Sequence, residues 1–180
     1  MKILYPYNQS WIDYPSNSDC IVVTFLGCNH NCFNCQNKEL QNYNYVANNS
    51  QQQSVEIDYL DLFYSLDIES HKYRTNKICF EGGDPLYYKN IDGVRNFIHE
   101  YTSFFDVCIY TGYNIDFVKN NNLYGAKYYK CGKYEEEFKD INYGKTNNQL
   151  IFASTNQKLY DGDYNQISID NYYTLTGETN

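Results

Sequence analysis

Ile21-Val22-Val23-Thr24-Phe25-Leu26-Gly27-Cys28-Asn29-His30-Asn31-Cys32-Phe33-Asn34-Cys35-Gln36-Asn37 runs an apolar segment directly into a thiol-rich one. Residues 21–26 are continuous and rich in β-branched side chains, which predicts a parallel strand covered on both faces. Gly27 and the interleaved asparagines favour a loop that wraps something over a helix that displays a stripe. The loop leaves the C-terminal end of its strand, where α/β folds carry their sites. Within it, Cys28, Cys32 and Cys35 have the spacing C-x-x-x-C-x-x-C. A structural zinc ion is usually closed by four ligands, and an ordinary four-iron cluster by four thiolates. Three thiolates on a four-iron, four-sulfur cluster leave one iron without a protein ligand, free to take a substrate or cosubstrate. A zinc site is a second reading, with His30 or one of Cys20, Cys79, Cys108 and Cys131 as the fourth ligand. Disulfides fit less well, because the seven cysteines are an odd number and no signal peptide opens the chain.

The 180 residues fit one domain, 1–180, with room for a sizeable core. A closed eight-fold α/β barrel typically takes about 250 residues. The formal charge of -8 comes without the clustered Lys and Arg that a nucleic-acid groove needs. No apolar run approaches the roughly 20 residues of a membrane span. A soluble, cytoplasmic protein without nucleic-acid or membrane partners is therefore expected.

Residues 1–20 are mixed polar and aromatic and are broken by Pro6 and Pro15, which predicts an N-terminal arm lying on the domain. After the cysteine loop, residues 43–53 read as a polar connection. A helix is expected from Ser54 as N-cap, with Val55, Tyr59, Leu62, Phe63 and Leu66 at helical spacing. Residues 77–81 predict a strand running into Gly82-Gly83-Asp84-Pro85, and residues 90–101 a second helix. A third strand over 106–111 ends in Gly112-Tyr113, and a short helix follows over 114–120. Strands near 126–130 and 149–153 and a tail from about residue 160 complete the chain. Strands alternating with helices give a parallel sheet with crossover connections. Cys79 and Cys108 fall mid-strand and read as small buried apolar residues.

Gly82-Gly83-Asp84-Pro85 alone is a plain turn. Here it follows, one helix and one strand later, a C-x-x-x-C-x-x-C loop with Phe33 between the second and third thiols. The combination resembles the cluster motif and the G-G-E-P-type motif of the radical S-adenosylmethionine superfamily, with Asp84 where many members have Glu. Over about residues 20–160 the chain is similar to the activating enzymes of anaerobic ribonucleotide reductases. Gly82-Gly83-Asp84-Pro85-Leu86, Thr111-Gly112-Tyr113, Gly132-Lys133-Tyr134 and Ser154-Thr155-Asn156-Gln157 correspond in order to that family's G-G-D-P-L, T-G-Y, D-G-x-F-like and S-S-N-Q segments. Cys131 stands where the family usually has Asp, and Phe152-Ala153 where Arg-Gly commonly precedes the serine pair.

The resemblance implies an α/β, single-domain, incomplete TIM-like barrel with a mostly parallel sheet, open at the side to admit a protein loop. It implies one [4Fe-4S] cluster per chain on Cys28, Cys32 and Cys35. The open iron would chelate S-adenosylmethionine, and one electron would cleave it to methionine and a 5′-deoxyadenosyl radical. That radical would take a hydrogen atom from the Cα of a glycine in the large subunit of an anaerobic ribonucleotide reductase, with a low-potential donor such as flavodoxin supplying the electron. Phe33, Asn34, Cys35, Gln36, Gly82, Gly83, Asp84 and Thr111 would form the S-adenosylmethionine site, with Phe33 near the adenine. No catalytic side chain beyond the cluster and cosubstrate is expected. The alternatives are another small member of the superfamily, such as a 7-carboxy-7-deazaguanine synthase, and a non-catalytic zinc-binding module.

Overall fold

The computed structural model describes residues 1–15, 18–47, 51–139 and 152–168. In chain order its strands are β1 (Lys2–Tyr5), β2 (Asn8–Ser10), β3 (Cys20–Phe25), β4 (Gln53–Glu56), β5 (Lys77–Gly82), β6 (Asp106–Thr111), β7 (Tyr128–Cys131), β8 (Lys158–Asp161) and β9 (Gln166–Ile167). The helices are α1 (Tyr59–Tyr73), α2 (Ile91–Tyr101) and α3 (Ile115–Asn120). Among the described residues all the strands belong to one sheet of order β4-β1-β3-β5-β6-β7-β8-β9, with β2 paired beside β3. The central strands β3, β5, β6 and β7 are parallel. The outer pairs are antiparallel. The protein is thus a mixed α/β fold around a parallel centre, and the sheet is not closed on itself.

Strand alternation divides the buried residues between two faces. Ile21, Val23, Phe25, Ile78, Phe80, Val107 and Ile109 meet the helices, packing with Leu62 and Leu66 of α1, Val94, Phe97 and Ile98 of α2, and Val118 of α3. The rings of Phe25 and Phe97 lie 5.2 and 5.3 Å from that of Phe80. The opposite face carries Cys20, Val22, Cys79 and Cys108 under Tyr14, which is 1% exposed. Burial on both faces explains why 21–26 reads as a continuous apolar run. Among the described residues no helix is long and apolar enough to cross a membrane.

Four expectations are corrected. Residues 1–20 are not an arm lying on the domain, because Lys2–Tyr5 and Asn8–Ser10 pair antiparallel with β3 and β4. Ser54 and Val55 are not in a helix. They pair with Leu4 and Ile3, and the cap is Asp58, whose Oδ1 accepts from the amides of Leu60 (2.9 Å) and Asp61 (2.8 Å). Sheet pairing of a β-branched segment outweighs its helical spacing. The strand expected at 149–153 falls partly outside the described residues, and Phe152 and Ala153 are not in a strand. The region given to a tail from residue 160 instead carries the hairpin β8–β9, which extends the sheet beyond β7. Asp58→Ala is expected to lower stability by about 0.5–2 kcal/mol in a denaturant titration, whereas loss of an N-cap has no counterpart at Ser54→Ala, which should stay within about 0.5 kcal/mol.

Candidate iron-sulfur site

The carboxyl ends of the parallel strands converge on the cysteine loop. The loop is held to a 3-10 turn, Lys38–Gln41, by hydrogen bonds from Gly27 N to Leu40 O (2.8 Å) and from Cys28 N to Gln41 O (3.0 Å). Asn31 and Asn34 adopt φ of 50° and 55°, left-handed conformations that asparagine tolerates and that turn the chain between successive thiols. The result is a cavity of about 340 Å³ lined by Cys28, Cys32, Cys35 and Gln36 from the loop, Gly82 and Gly83 from β5 and its exit, and Thr111 from β6. A Cβ at Gly83 would sit 2.6 Å from the carbonyl oxygens of Gly27 and Leu40. Glycine is required there because the cysteine loop itself packs against it.

Asp84 fastens this arrangement. Its carboxylate is buried and accepts from His30 Nε2 (2.7 Å), Thr111 Oγ1 (3.0 Å to each oxygen), Gly112 N (2.9 Å) and Leu86 N (2.8 Å). Its own amide donates to Gly27 O at 2.8 Å. One side chain thus joins the exit of β5, the end of β6 and the middle of the cysteine loop. The His30 ring packs edge-on to Tyr113 with centroids 4.5 Å apart, and a Cβ at Gly112 would collide with it. Tyr113 in turn donates to Asn29 Oδ1 at 3.1 Å. Cys28 Sγ, a His30 nitrogen and an Asp84 oxygen all lie within 4.8 Å of one another, but the His30–Asp84 bond already uses both partners' near atoms.

All seven cysteines are free thiols. Burial pushes the Cys28 thiol up to about 12, against a hydrogen bond from the His30 amide, and burial also raises Cys32. A metal bound here would have to displace these protons, because only the thiolate is a ligand. The donor set, three thiols facing one cavity with a backbone amide directed at one sulfur, fits an iron-sulfur cluster. The sequence profile of a known family, described as 4Fe-4S single cluster domain, matches residues 19–160. The chain belongs to this family. No curated protein and no solved structure gave a match. The match covers β3, the cysteine loop and every parallel strand that frames the cavity, so this 4Fe-4S single cluster domain is an iron-sulfur protein of radical S-adenosylmethionine type.

Of the residues singled out in the sequence, Cys28, Cys32, Cys35, Gln36, Gly82, Gly83 and Thr111 line the cavity of the 4Fe-4S domain. Phe33 is 75% exposed, and both it and Asn34 stand outside the lining. Asp84 also stands outside the lining, its oxygens consumed by the protein's own donors. Cys131 packs into the helix-side core and Cys20 lies under Tyr14. Gln157 reaches the cavity wall, where its Nε2 donates to Gly132 O (3.0 Å) and its Oε1 accepts from Ala153 N (2.9 Å). Sequence reasoning missed the bond between His30 and Asp84, and it missed Asp13, Glu81, Tyr110 and Lys130 along the other wall. Period-two alternation from the buried Cys79 would have assigned Glu81 to the same face.

Burial, reinforced by the Asp13 charge and opposed by Lys130, pushes Glu81 from 4.5 up to about 7. A carboxyl raised on folding contributes its stability fully below its unfolded value and loses it as pH climbs through about 7. The melting temperature of Glu81→Gln should therefore rise relative to the parent as pH goes from 4.5 to 8, with the two nearly parallel below that window. Asp84→Ala orphans several buried donors at about 1–3 kcal/mol each. It should cost about 3 kcal/mol or more in apo-protein stability and lower the iron retained per chain after reconstitution.

Proposed function

We propose that the protein is a radical S-adenosylmethionine activase that installs a glycyl radical on an anaerobic ribonucleotide reductase. The observation that carries this reading is that the three thiols of C-x-x-x-C-x-x-C share one cavity with Gly82, Gly83 and Thr111, at the carboxyl ends of parallel strands. Cys28, Cys32 and Cys35 would hold one [4Fe-4S] cluster and leave one iron open. When bound, the cluster would supply the electron that splits S-adenosylmethionine into methionine and a 5′-deoxyadenosyl radical, and that radical would take a hydrogen atom from a glycine Cα of the partner. Gln36, the main chain of Gly82 and Gly83, and Thr111 would orient the cosubstrate, and the cavity walls would limit its contact with water. Asp84 acts through His30 by fixing the loop, without touching the cosubstrate.

The open sheet, with its helices on one face, supports an incomplete barrel whose concave side receives a loop of the large reductase subunit. A low-potential donor such as flavodoxin would deliver the electron. Ser154 to Gln157, held against Gly132 and Lys133, would border the entrance.

Anaerobically reconstituted protein should hold about four irons per chain on three thiolates, and each of Cys28→Ala, Cys32→Ala and Cys35→Ala should abolish that. The electron paramagnetic resonance spectrum of the dithionite-reduced protein should change on adding S-adenosylmethionine. Addition of the reductase should then give a glycyl-radical signal on the larger chain. Zinc without iron, in protein prepared with iron present and oxygen excluded, would overturn the reading. A cluster and cosubstrate response with no radical on any reductase would redirect it to a small-molecule substrate.

A further inference from the structure

The wall of the cavity opposite the thiols has an order of its own. Strand register aligns Thr24 with Glu81 and Tyr110 with Lys130. Glu81 and Tyr110 each follow the paired residues Phe80 and Ile109. Thr24, Glu81, Tyr110 and Lys130 therefore form one row across β3, β5, β6 and β7, one step short of Gly82 and Thr111. The row beneath is Val22, Cys79, Cys108 and Tyr128, apolar and covered by Tyr14. The upper row is thus polar, and Glu81, Tyr110 and Lys130 of it line the cavity.

Tyr110 is anchored at its far end, where its hydroxyl donates to Asp13 O at 2.7 Å. The Lys130 ammonium lies 4.3 Å from the centre of its ring. Among the described residues neither Glu81 nor Lys130 forms an ion pair or a side-chain hydrogen bond, although both line the cavity. Tyr110 separates them by two strand spacings, roughly 10 Å between Cα atoms at about 4.8 Å each. Glu81 and Lys130 therefore present a carboxyl and an ammonium to the cavity with no hydrogen bond joining the two.

We infer that Glu81 and Lys130 read the main chain of an extended peptide, with Glu81 accepting from a backbone N–H and Lys130 donating to a backbone carbonyl about three residues away. The inference rests on the protein-substrate reading above and names the residues that would register the glycine-bearing segment. The chemistry selects a peptide over other ligands. A simple anion would meet the carboxylates of Asp13 and Glu81, and a simple cation would meet Lys130. Extended chain covers about 3.3 Å per residue, so three residues cross the two strand spacings from Glu81 to Lys130. Ile12, 42% exposed at the cavity wall beside the 65% exposed Trp11, offers an apolar edge for the side chains of such a segment.

Trp11 is the single tryptophan, so binding can be read by its fluorescence without turnover. The probe is an acetylated and amidated seven-residue peptide of Gly, Ala and Ser, titrated into anaerobically reconstituted protein, with free glycine as competitor. Saturable binding of the peptide that millimolar glycine does not displace is expected. Glu81→Gln and Lys130→Met should each weaken it about 10- to 100-fold, the loss of one charge-assisted hydrogen bond, with Lys130→Arg restoring most of it. The inference is overturned by absence of peptide binding to the parent protein or by equal competition from glycine. Unchanged affinity in both variants, or a parallel loss of the spectroscopic response to S-adenosylmethionine, would also overturn it, the last assigning the row to the cosubstrate. Iron content and that spectroscopic response, measured on the parent preparation, report failure of the activase reading separately.

Discussion

The buried carboxylate of Asp84 is the constraint on which the site depends. A carboxylate taken out of water is tolerated only when its oxygens are saturated with donors. Here the donors come from three separated parts of the chain: His30 in the cysteine loop, Thr111 and Gly112 at the end of β6, and Leu86 just beyond Asp84 itself. Satisfying the carboxylate therefore brings the loop and two strand ends together. The cysteines carry no such obligation, since a neutral thiol is at ease in partly buried surroundings. Order in the loop is imposed from Asp84 through His30 and then shared with the thiols on either side of it.

Asn90 does comparable work at the other end of the loop. Its side chain is fully buried, donates to Leu26 O at 2.8 Å and accepts from Lys2 N at 3.1 Å. It leaves α2 without a side-chain cap and instead fixes the exit of β3 against the first strand. Two buried polar residues, Asp84 and Asn90, thus bracket the stretch Leu26 to His30. The short segment between β5 and α2 that contains both behaves as a clamp on the start of the metal-binding loop.

The parts legible in the sequence were those where one local signal dominated. The strands expected at 21–26, 77–81 and 106–111 were marked by short apolar stretches running into glycine-containing turns, and the thiol spacing marked the loop. The segment 53–56 was not legible, because Val55 serves equally well in a helical pattern or a strand edge. Its partner, β1, lies some fifty residues earlier, where Pro6 and scattered aromatics disguised the strands. The bond between His30 and Asp84 spans 54 residues and leaves no periodic trace. Asp84 read as a ligand contact because it sits in a ligand-binding motif, whereas its saturation by other donors makes it a positioning residue. Gly83 carries a second constraint that the sequence did not show, because the glycine also makes room for the cysteine loop.

The two faces of the sheet show how one set of strands serves both folding and chemistry. Odd positions of β3 and even positions of β5, Val23 and Phe80 among them, face the helices and supply the core. The alternate positions face the interior, and there the side chains change along the strand from apolar (Val22, Cys79, Cys108) to polar (Thr24, Glu81, Tyr110, Lys130) within a single period of two. Burial raises Glu81 and lowers Lys130, so the polar row is held at a cost to stability. The helix-side core can bear that cost because none of its residues is shared with the interior row. Mutual pairing of Glu81 and Lys130 would have relieved part of the cost, and Tyr110, anchored on Asp13, stands between them. Polar groups held at that cost on a cavity wall do little for folding, which is the physical reason for assigning the row to recognition.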